Sequence, residues 1–149
     1  MAARFRGEYR HTIDKKGRMS VPVKFREGLG EQFMFCKGPD QCLYAFPMEE
    51  WERQEDRIVN NSEVFSKAKN RAFVRSFFSS AIEGELDAMG RVLVPASLRE
   101  YAGFVDKMDV TVIGVANRVE IWSAERWIAY CEENAEDMDI SEGMEIFEI

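Results

Sequence analysis

The sequence predicts an α+β fold built from two related halves. A short motif occurs twice, as Asp14-Lys15-Lys16-Gly17-Arg18 and, 73 positions later in a chain of 149 residues, as Asp87-Ala88-Met89-Gly90-Arg91. A Val-Pro pair follows each copy, and then a helical stretch, with Phe25-Arg26-Glu27 matching Leu98-Arg99-Glu100. Short alternating runs around both motifs are typical of strands, so each half combines strands with helices.

The repeated motif has the chemistry of a tight turn. Aspartate bonds its own downstream backbone, and glycine accepts a positive φ at no steric cost, so each copy predicts a strand, a tight loop and a strand. The arginine either closes the loop through a charge-assisted hydrogen bond to the aspartate or points outward as a ligand group. The residues assigned to this structural motif are Asp14, Gly17, Asp87, Gly90 and Arg91.

In the first half, residues 4–14 and 18–21 are predicted to form a hairpin around the first loop. Pro22 suits the start of a short helix, with Gly28 and Gly30 near its end. Strands are expected at residues 33–37 and 43–46.

A second helix is expected from Pro47 to about Val59, with a solvated acidic face. Residues 60–62 read as a linker, and Ser62 is a suitable N-cap for a helix that runs to about Ser80. The apolar stripe of that helix is expected to pack in the core, although an oligomer interface could use the same side chains; it consists of Phe65, Phe73, Val74, Phe77 and Phe78.

The second half repeats this order. Strands are expected at 81–86 and 92–94, a helix after Pro95, and further strands at 110–113 and 119–122. Ser123 is expected to cap a helix that carries Trp127 and Tyr130. From residue 131 onward the sequence is acidic and poor in apolar residues, which predicts a flexible tail.

Composition excludes several classes of protein. No apolar run is long enough for a transmembrane helix, and the first residues lack the apolar stretch of a signal peptide, so a cytosolic protein is expected. The three cysteines, Cys36, Cys42 and Cys131, lack the paired spacing of a zinc site or disulfide framework. No metal or other cofactor is expected.

The net charge of −7 conceals an uneven distribution. Residues 1–30 carry eight Lys or Arg against three Asp or Glu, a net charge of +5, whereas residues 130–149 carry eight acids and no base. Such asymmetry indicates a surface that binds polyanions, together with an acidic tail.

The repeat, the opening Phe5-Arg6-Gly7-Glu8-Tyr9 and the two D-x-x-x-R motifs together resemble the MraZ family of bacterial regulators encoded at the start of the division and cell-wall gene cluster. The likeness covers roughly residues 4–130. It implies a tandem pair of AbrB-like swapped-hairpin β-barrel halves with peripheral helices, and a ring-shaped homo-oligomer. It also implies binding to G-rich direct repeats in promoter DNA, repression or other regulation of transcription, and a location at the nucleoid.

On this basis residues 1–60 form the first repeat, 61–80 a connecting helix, 81–130 the second repeat and 131–149 the tail. Clustered positive charge is what attracts phosphate, so only the basic first copy is expected to contact DNA. The first copy has Arg10, Lys15, Lys16, Lys24 and Arg26 around it in the sequence, whereas the second has Glu83, Glu85 and Glu100. The residues predicted to bind DNA are Arg10, Lys15, Lys16, Arg18 and Lys24.

Two other functions compete with DNA binding. Paired halves that each supply an aspartate resemble the layout of an aspartic peptidase, but an arginine four residues after Asp14 and after Asp87 favours ionisation of both. A non-enzymatic ring that binds other proteins through its aromatic surface is the third possibility. We therefore expect no catalytic residues.

Overall fold

A computed structural model describes residues 2–149. It contains eight strands: β1 (Phe5–Thr12), β2 (Arg18–Ser20), β3 (Gln32–Lys37), β4 (Leu43–Pro47), β5 (Ile82–Glu85), β6 (Arg91–Leu93), β7 (Asp109–Ala116) and β8 (Arg118–Ser123). The α-helices are α1 (Val23–Leu29), α2 (Met48–Val59), α3 (Ala68–Ser80), α4 (Ala96–Ala102), α5 (Ala124–Glu133) and α6 (Ile140–Ile146). The α+β class predicted from the sequence is confirmed.

The strands form two antiparallel sheets. A pseudo-twofold operation that exchanges the two repeats maps each sheet onto itself. One sheet has six strands in the order β1-β7-β8-β4-β3-β5, and the other pairs β2 with β6. Exchanging each strand for its counterpart in the other half reverses the six-strand order and leaves it otherwise unchanged. Both repeats therefore contribute strands to each sheet, and neither repeat forms a sheet of its own.

The halves exchange strands. β1 pairs with β7 of the second half, from Phe5 opposite Ala116 to Thr12 opposite Asp109, and β5 pairs with β3 of the first half. The prediction that residues 4–14 and 18–21 pair with each other as a hairpin is therefore wrong. The loop between them turns the chain into a different sheet, and each strand pairs with one strand of the other repeat, β1 with β7 and β2 with β6.

One hydrophobic core lies between the exchanged halves. Phe25, Phe33 and Phe35 from the first half and Leu98 and Val112 from the second are at most 1% exposed and belong to a single cluster. Burial of apolar side chains is the main stabilising contribution to such a fold, at roughly 25 cal/mol per Å². Because both halves supply this core, each depends on the other for burial.

The proline and glycine positions set the short helices as predicted. Pro22 and Pro95 are the N-cap residues of α1 and α4. α1 is followed by Gly30 at φ 79° and α4 by Gly103 at φ 74°, a region that glycine enters without a Cβ clash. The predicted cap of α5 is also confirmed, since the Ser123 hydroxyl accepts a hydrogen bond from the backbone N–H of Arg126 at 3.4 Å.

The start of α3 and the packing of its stripe differ from the prediction. The helix begins at Ala68 rather than after Ser62, because residues 60–67 form turns around a buried Val64. Phe77 and Phe78 pack on Trp51, with ring centroids 5.5 and 5.9 Å away. Phe73 remains 52% exposed, so the core assignment holds for only part of the stripe.

The acidic face of α2 is not wholly solvated, as Glu50 is only 9% exposed. Its carboxylate accepts hydrogen bonds from Arg53 at 2.9 Å, Gln54 at 2.7 Å and Asn117 at 3.3 Å. Desolvation opposes ionisation of Glu50, but these hydrogen bonds outweigh it and hold its pKa below the usual value. The Asn117 contact ties α2 to the β7–β8 turn of the other half.

The tail is not devoid of structure, since it contains α6. The Asp139 side chain caps this helix by accepting a hydrogen bond from the Ser141 backbone N–H at 2.9 Å. None of the residues of α6 is buried. The helix does not contribute to the core, and the flexibility of the tail stays a prediction.

Two leucines of the second half test the assignment of the shared core. Leu98 is fully buried, whereas Leu93 is 55% exposed. We expect Leu98→Ala to lower the free energy of unfolding by about 2–5 kcal/mol, because it leaves a cavity in the core. Leu93→Ala should change it by less than about 0.5 kcal/mol. Urea denaturation of both variants checks this, and equal effects would contradict the core assignment.

Candidate nucleic-acid interface

The first loop is closed by one carboxylate. Asp14 Oδ1 accepts hydrogen bonds from the backbone N–H of Lys16 at 2.8 Å and of Arg18 at 2.9 Å, while Oδ2 accepts one from Arg18 Nε at 2.9 Å. The Gly17 N–H donates to the Asp14 carbonyl at 3.0 Å, with Gly17 at φ 83°. Asp14 and Arg18 thus form a clamp that fixes the loop backbone.

The second loop has the same clamp. Asp87 Oδ1 accepts from the backbone N–H of Met89 and of Arg91, both at 2.9 Å, and Oδ2 accepts from Arg91 Nε at 3.1 Å. Gly90 lies at φ 76° and donates to the Asp87 carbonyl at 3.0 Å. The two copies therefore match bond for bond, and any functional difference between them comes from the side chains that they carry.

Both aspartates are held ionised. In each loop the backbone N–H of the arginine is the largest influence that lowers the pKa of the aspartate, Arg18 acting on Asp14 and Arg91 on Asp87. A proton-sharing pair of aspartates requires one raised pKa. The loops have the opposite property, so the electrostatics disfavour the aspartic-dyad alternative.

The two loops lie at opposite ends of the β2–β6 ladder. The Val21 N–H donates to the Gly90 carbonyl and the Val94 N–H to the Gly17 carbonyl, both at 2.9 Å. Arg18 pairs with Leu93 across this ladder. These reciprocal bonds make the position of each loop depend on the other half.

The outer face of the same ladder carries both arginines. Ser20 pairs with Arg91, and the intervening Met19 and Val92 are buried. Side chains alternate along a strand, so Arg18 and Arg91 project from the face opposite the core.

Each loop glycine is covered by an arginine from the other half. A Cβ on Gly17 would collide with the guanidinium of Arg99, and a Cβ on Gly90 would collide with that of Arg26. Sequence reasoning grouped Arg26 with the first loop because it is near in sequence. Strand exchange instead places it on the second loop, and the signal that could have revealed this role was the matching arginine in the two aligned helices.

Strand exchange also places an acidic residue of the second half beside the first loop. Glu100 was assigned to the surroundings of the second loop, but it lines a cleft of about 420 Å³ together with Asp14, Lys15 and Arg99. The charge contrast between the loops is therefore smaller than the sequence predicts. What remains distinct is the tip of each loop, where exposed Lys15 and Lys16 stand in place of Ala88 and Met89.

The clamp leaves part of the Arg18 side chain available. Its Nε is engaged by Asp14, and no residue within 2–149 accepts a hydrogen bond from its two Nη groups. The side chain is 33% exposed. Arg18 can therefore close the loop and still present two fixed N–H donor groups at the surface.

The other predicted basic residues are less closely grouped. Arg10 is exposed on β1 opposite Thr111. Lys24 is exposed on α1 and lines a separate cavity with Arg4, Glu27 and Arg53, to which residues 14–18 do not contribute. The structure thus brings Lys15, Lys16 and Arg18 together on one loop and places Lys24 in a mixed-charge setting.

His11 is partly buried on β1. Burial is the larger influence and the positive charge of Arg26 the smaller, and both lower its pKa below the usual value. Within residues 2–149 no cluster of three or more His, Cys, Asp or Glu side chains is arranged to hold a metal ion. No helix in that part of the chain is both long and apolar enough to span a membrane.

Comparison with known sequences gives the same tandem arrangement. The sequence model described as "MraZ protein, putative antitoxin-like" matches twice, over residues 4–76 and 77–145. The chain belongs to the MraZ family. It is 50% identical to the transcriptional regulator MraZ of Moorella thermoacetica over 146 residues, which are 97% of this chain and 99% of the relative.

Two further relatives extend the match. The transcriptional regulator MraZ of Symbiobacterium thermophilum is 52% identical over 130 residues, covering 87% of this chain and 91% of the relative. That of Acetivibrio thermocellus is 48% identical over 141 residues, covering 94% and 96%. The MraZ assignment therefore applies to both halves, and it confirms the family and the tandem swapped-hairpin fold expected from the sequence.

The clamp gives a pH prediction. Because the Asp87 pKa is lower in the folded protein than the ordinary value of 3.8, the unfolded chain takes up the proton first as pH falls. The stabilisation is complete above that ordinary value and is lost as pH falls through the folded pKa. Asp87→Asn should lower the melting temperature at pH 7, because an amide NH₂ then faces Arg91 Nε, and the deficit should shrink toward pH 3.

Melting curves between pH 7 and pH 2.5 measure this deficit. Asp137→Asn removes an exposed carboxylate that lies outside both loops, and it serves as the matched control with no expected deficit. A deficit for Asp87→Asn that stayed constant down to pH 2.5 would show that the carboxylate charge does not stabilise the loop.

Proposed function

We propose that this protein is a DNA-binding transcriptional regulator that recognises its site through the first loop. Relatives that are named transcriptional regulators support the general role. The observation that carries the proposal is the loop tip, where Lys15 and Lys16 are exposed beside Arg18. Of the three side-chain nitrogens of Arg18, only Nε is bonded to Asp14. Two phosphate-binding ammonium groups and one oriented guanidinium are thereby presented on a rigid backbone.

Each side chain has a distinct proposed task. Arg18 contacts guanine, since its two Nη groups can donate together to O6 and N7, and the Asp14 bond fixes the plane of the guanidinium before binding. Lys15 and Lys16 hold phosphates and supply affinity without sequence information. Arg10 and Lys24 add positive charge at a greater distance.

The second loop stabilises the fold and does not contact DNA. Its arginine makes the same clamp, but Ala88 and Met89 at its tip offer no charge to phosphate. Glu27 and Glu31 line the cleft beside it together with Arg26, so this cleft has no excess of positive charge to replace the missing lysines.

The target that we propose is G-rich direct-repeat DNA upstream of the division and cell-wall genes, bound by a homo-oligomeric ring in the cytoplasm at the nucleoid. One loop makes few contacts, so a single copy binds weakly. Several loops on one assembly engage successive repeats. The overall affinity rises because each bound loop raises the effective concentration of the next loop at its repeat. Exposed Phe65 and Phe73 support self-association.

Three alanine variants test the loop assignment. Arg18→Ala should cost roughly 1–3 kcal/mol in DNA affinity and blur the preference for guanine. Lys15→Ala should weaken binding to all sequences alike and reduce the salt slope by about one unit. Arg91→Ala removes the equivalent clamp, so it should lower the melting temperature as much as Arg18→Ala while leaving the affinity for a single repeat unchanged.

Gel shift and melting temperature are measured on the same preparations, at one stated salt concentration, with the upstream DNA and a scrambled competitor. The affinity loss of Arg18→Ala beyond that of Arg91→Ala is specific to the first loop. Equal affinity losses for the two variants, with unchanged melting temperatures, would contradict the asymmetric assignment. Equal binding to both DNAs by the unmodified protein would contradict sequence-specific recognition.

A further inference from the structure

Groups of the second repeat hold the first loop in place. At the start of the loop, the Ile13 N–H donates to the Met108 carbonyl at 2.9 Å. Near its end, the Gly17 carbonyl accepts from the Val94 N–H at 2.9 Å. A third contact comes from the Arg99 guanidinium, which lies so close to Gly17 that a Cβ there would collide with it. The orientation of the loop on the fold therefore depends on the second repeat.

Helix α4 fixes the backbone of Arg99. The neighbouring Leu98 is fully buried in the core. The Arg99 N–H donates to the Pro95 carbonyl at 2.9 Å, and its carbonyl accepts from the Phe104 N–H at 2.8 Å. A planar guanidinium on such an anchored backbone covers the α-carbon of Gly17, and the glycine leaves the room for this contact.

The repeat counterpart of Arg99 is held differently. Arg26 covers Gly90 in the same way, but its Nε donates to the Val21 carbonyl at 2.8 Å. The Nε of Arg99 is buried and has no hydrogen-bond partner among residues 2–149. A buried N–H without an acceptor costs free energy, so hydrogen bonding of Nε does not account for the placement of this guanidinium. Its contact with the first loop does.

The surroundings of Arg99 disfavour a direct contact with DNA. The cleft beside it is lined by two bases, Lys15 and Arg99, and three acids, Asp14, Glu100 and Asp106. Such a lining has no excess of positive charge that would attract a phosphate. An effect of Arg99 on DNA binding would therefore pass through the loop.

We propose that Arg99 is a positioning residue for DNA recognition by the first loop, so that the second repeat contributes to reading the site without touching it. The Asp14 clamp fixes the Arg18 guanidinium relative to the loop, and Arg99 fixes the loop relative to the β2–β6 ladder. Contact with a base edge needs both, because its two hydrogen bonds are directional. Lys15 and Lys16 need neither, since their flexible side chains can follow a phosphate. This inference rests on the proposed function.

Gel shifts of two variants, at one stated salt concentration, measure the effect on recognition. Arg99→Ala uncovers the first loop, and the matched control Arg26→Ala uncovers the second. We define the preference as the affinity for the upstream DNA divided by that for a scrambled DNA. In Arg99→Ala it should fall at least about fivefold, the lower end of what one arginine–guanine pair contributes. In Arg26→Ala it should be unchanged, whereas a merely structural role would lower the melting temperature of Arg99→Ala and leave its preference intact.

Arg99→Lys separates positioning from phosphate binding. Lysine keeps the positive charge but lacks the planar guanidinium that covers Gly17, so the preference should stay as low as in Arg99→Ala. The affinity for scrambled DNA and the salt slope should be unchanged in both variants, because the loop lysines remain. Full recovery by Arg99→Lys, or a salt slope about one unit smaller in Arg99→Ala, would show a phosphate contact and overturn the proposal.

Melting temperatures test the contact without DNA. Gly17→Ala places a Cβ against the Arg99 guanidinium and also strains the loop at φ 83°. Arg99→Ala removes the collision but not the strain, so Gly17→Ala should lower the melting temperature less in that background than in the unmodified chain. In the Arg26→Ala background the loss should equal that in the unmodified chain. Equal losses in all three backgrounds would contradict the contact.

The proposed function and this inference fail separately. Equal affinity of the unmodified protein for the upstream and scrambled DNAs would contradict sequence-specific recognition. A preference that is present in the unmodified protein and survives Arg99→Ala would contradict the positioning role alone.

Discussion

Exchange of strands between the two repeats is the constraint on which the rest of this structure depends. β1 has its partner in the second half and β5 has its partner in the first. The core between them draws on both halves, so strand pairing and apolar burial are lost together if either repeat detaches. The same exchange brings Arg26 over Gly90 and Arg99 over Gly17. Each D-x-x-x-R loop is therefore covered by an arginine from a helix of the other repeat.

Within that frame, the two loops share one backbone structure and differ in the side chains at their tips. The two loops share every clamp bond, including those from the backbone N–H groups to Asp14 and to Asp87. Their tips differ in two side chains each, which alters the charge offered to a polyanion without altering the backbone. One copy can then change its surface chemistry freely, because the clamp requires only the aspartate, the glycine and the arginine.

The sequence predicted local structure well and long-range pairing poorly. Pro22, Gly30 and Ser123 act through their own backbone geometry or one nearby N–H, so they could be assigned from neighbours alone. The partner of β1 could not, because alternation along a strand identifies its buried face but not which strand lies beside it. For the same reason, the sequence assigned Glu100 and Arg26 each to the wrong loop. At the candidate site, the loop and its Asp–Arg clamp could be predicted from the sequence. The arginine that covers each glycine could not, because it comes from the other repeat through strand exchange.

The most direct test of this account is to exchange the loop tips. Lys15→Ala with Lys16→Met gives the first loop the tip of the second, and Ala88→Lys with Met89→Lys does the reverse. DNA affinity, its salt slope and the melting temperature are measured for both proteins. We expect the first change to abolish most DNA binding and reduce the salt slope by about two units, with no change in melting temperature. DNA binding that persisted at full strength without the two lysines would contradict the account.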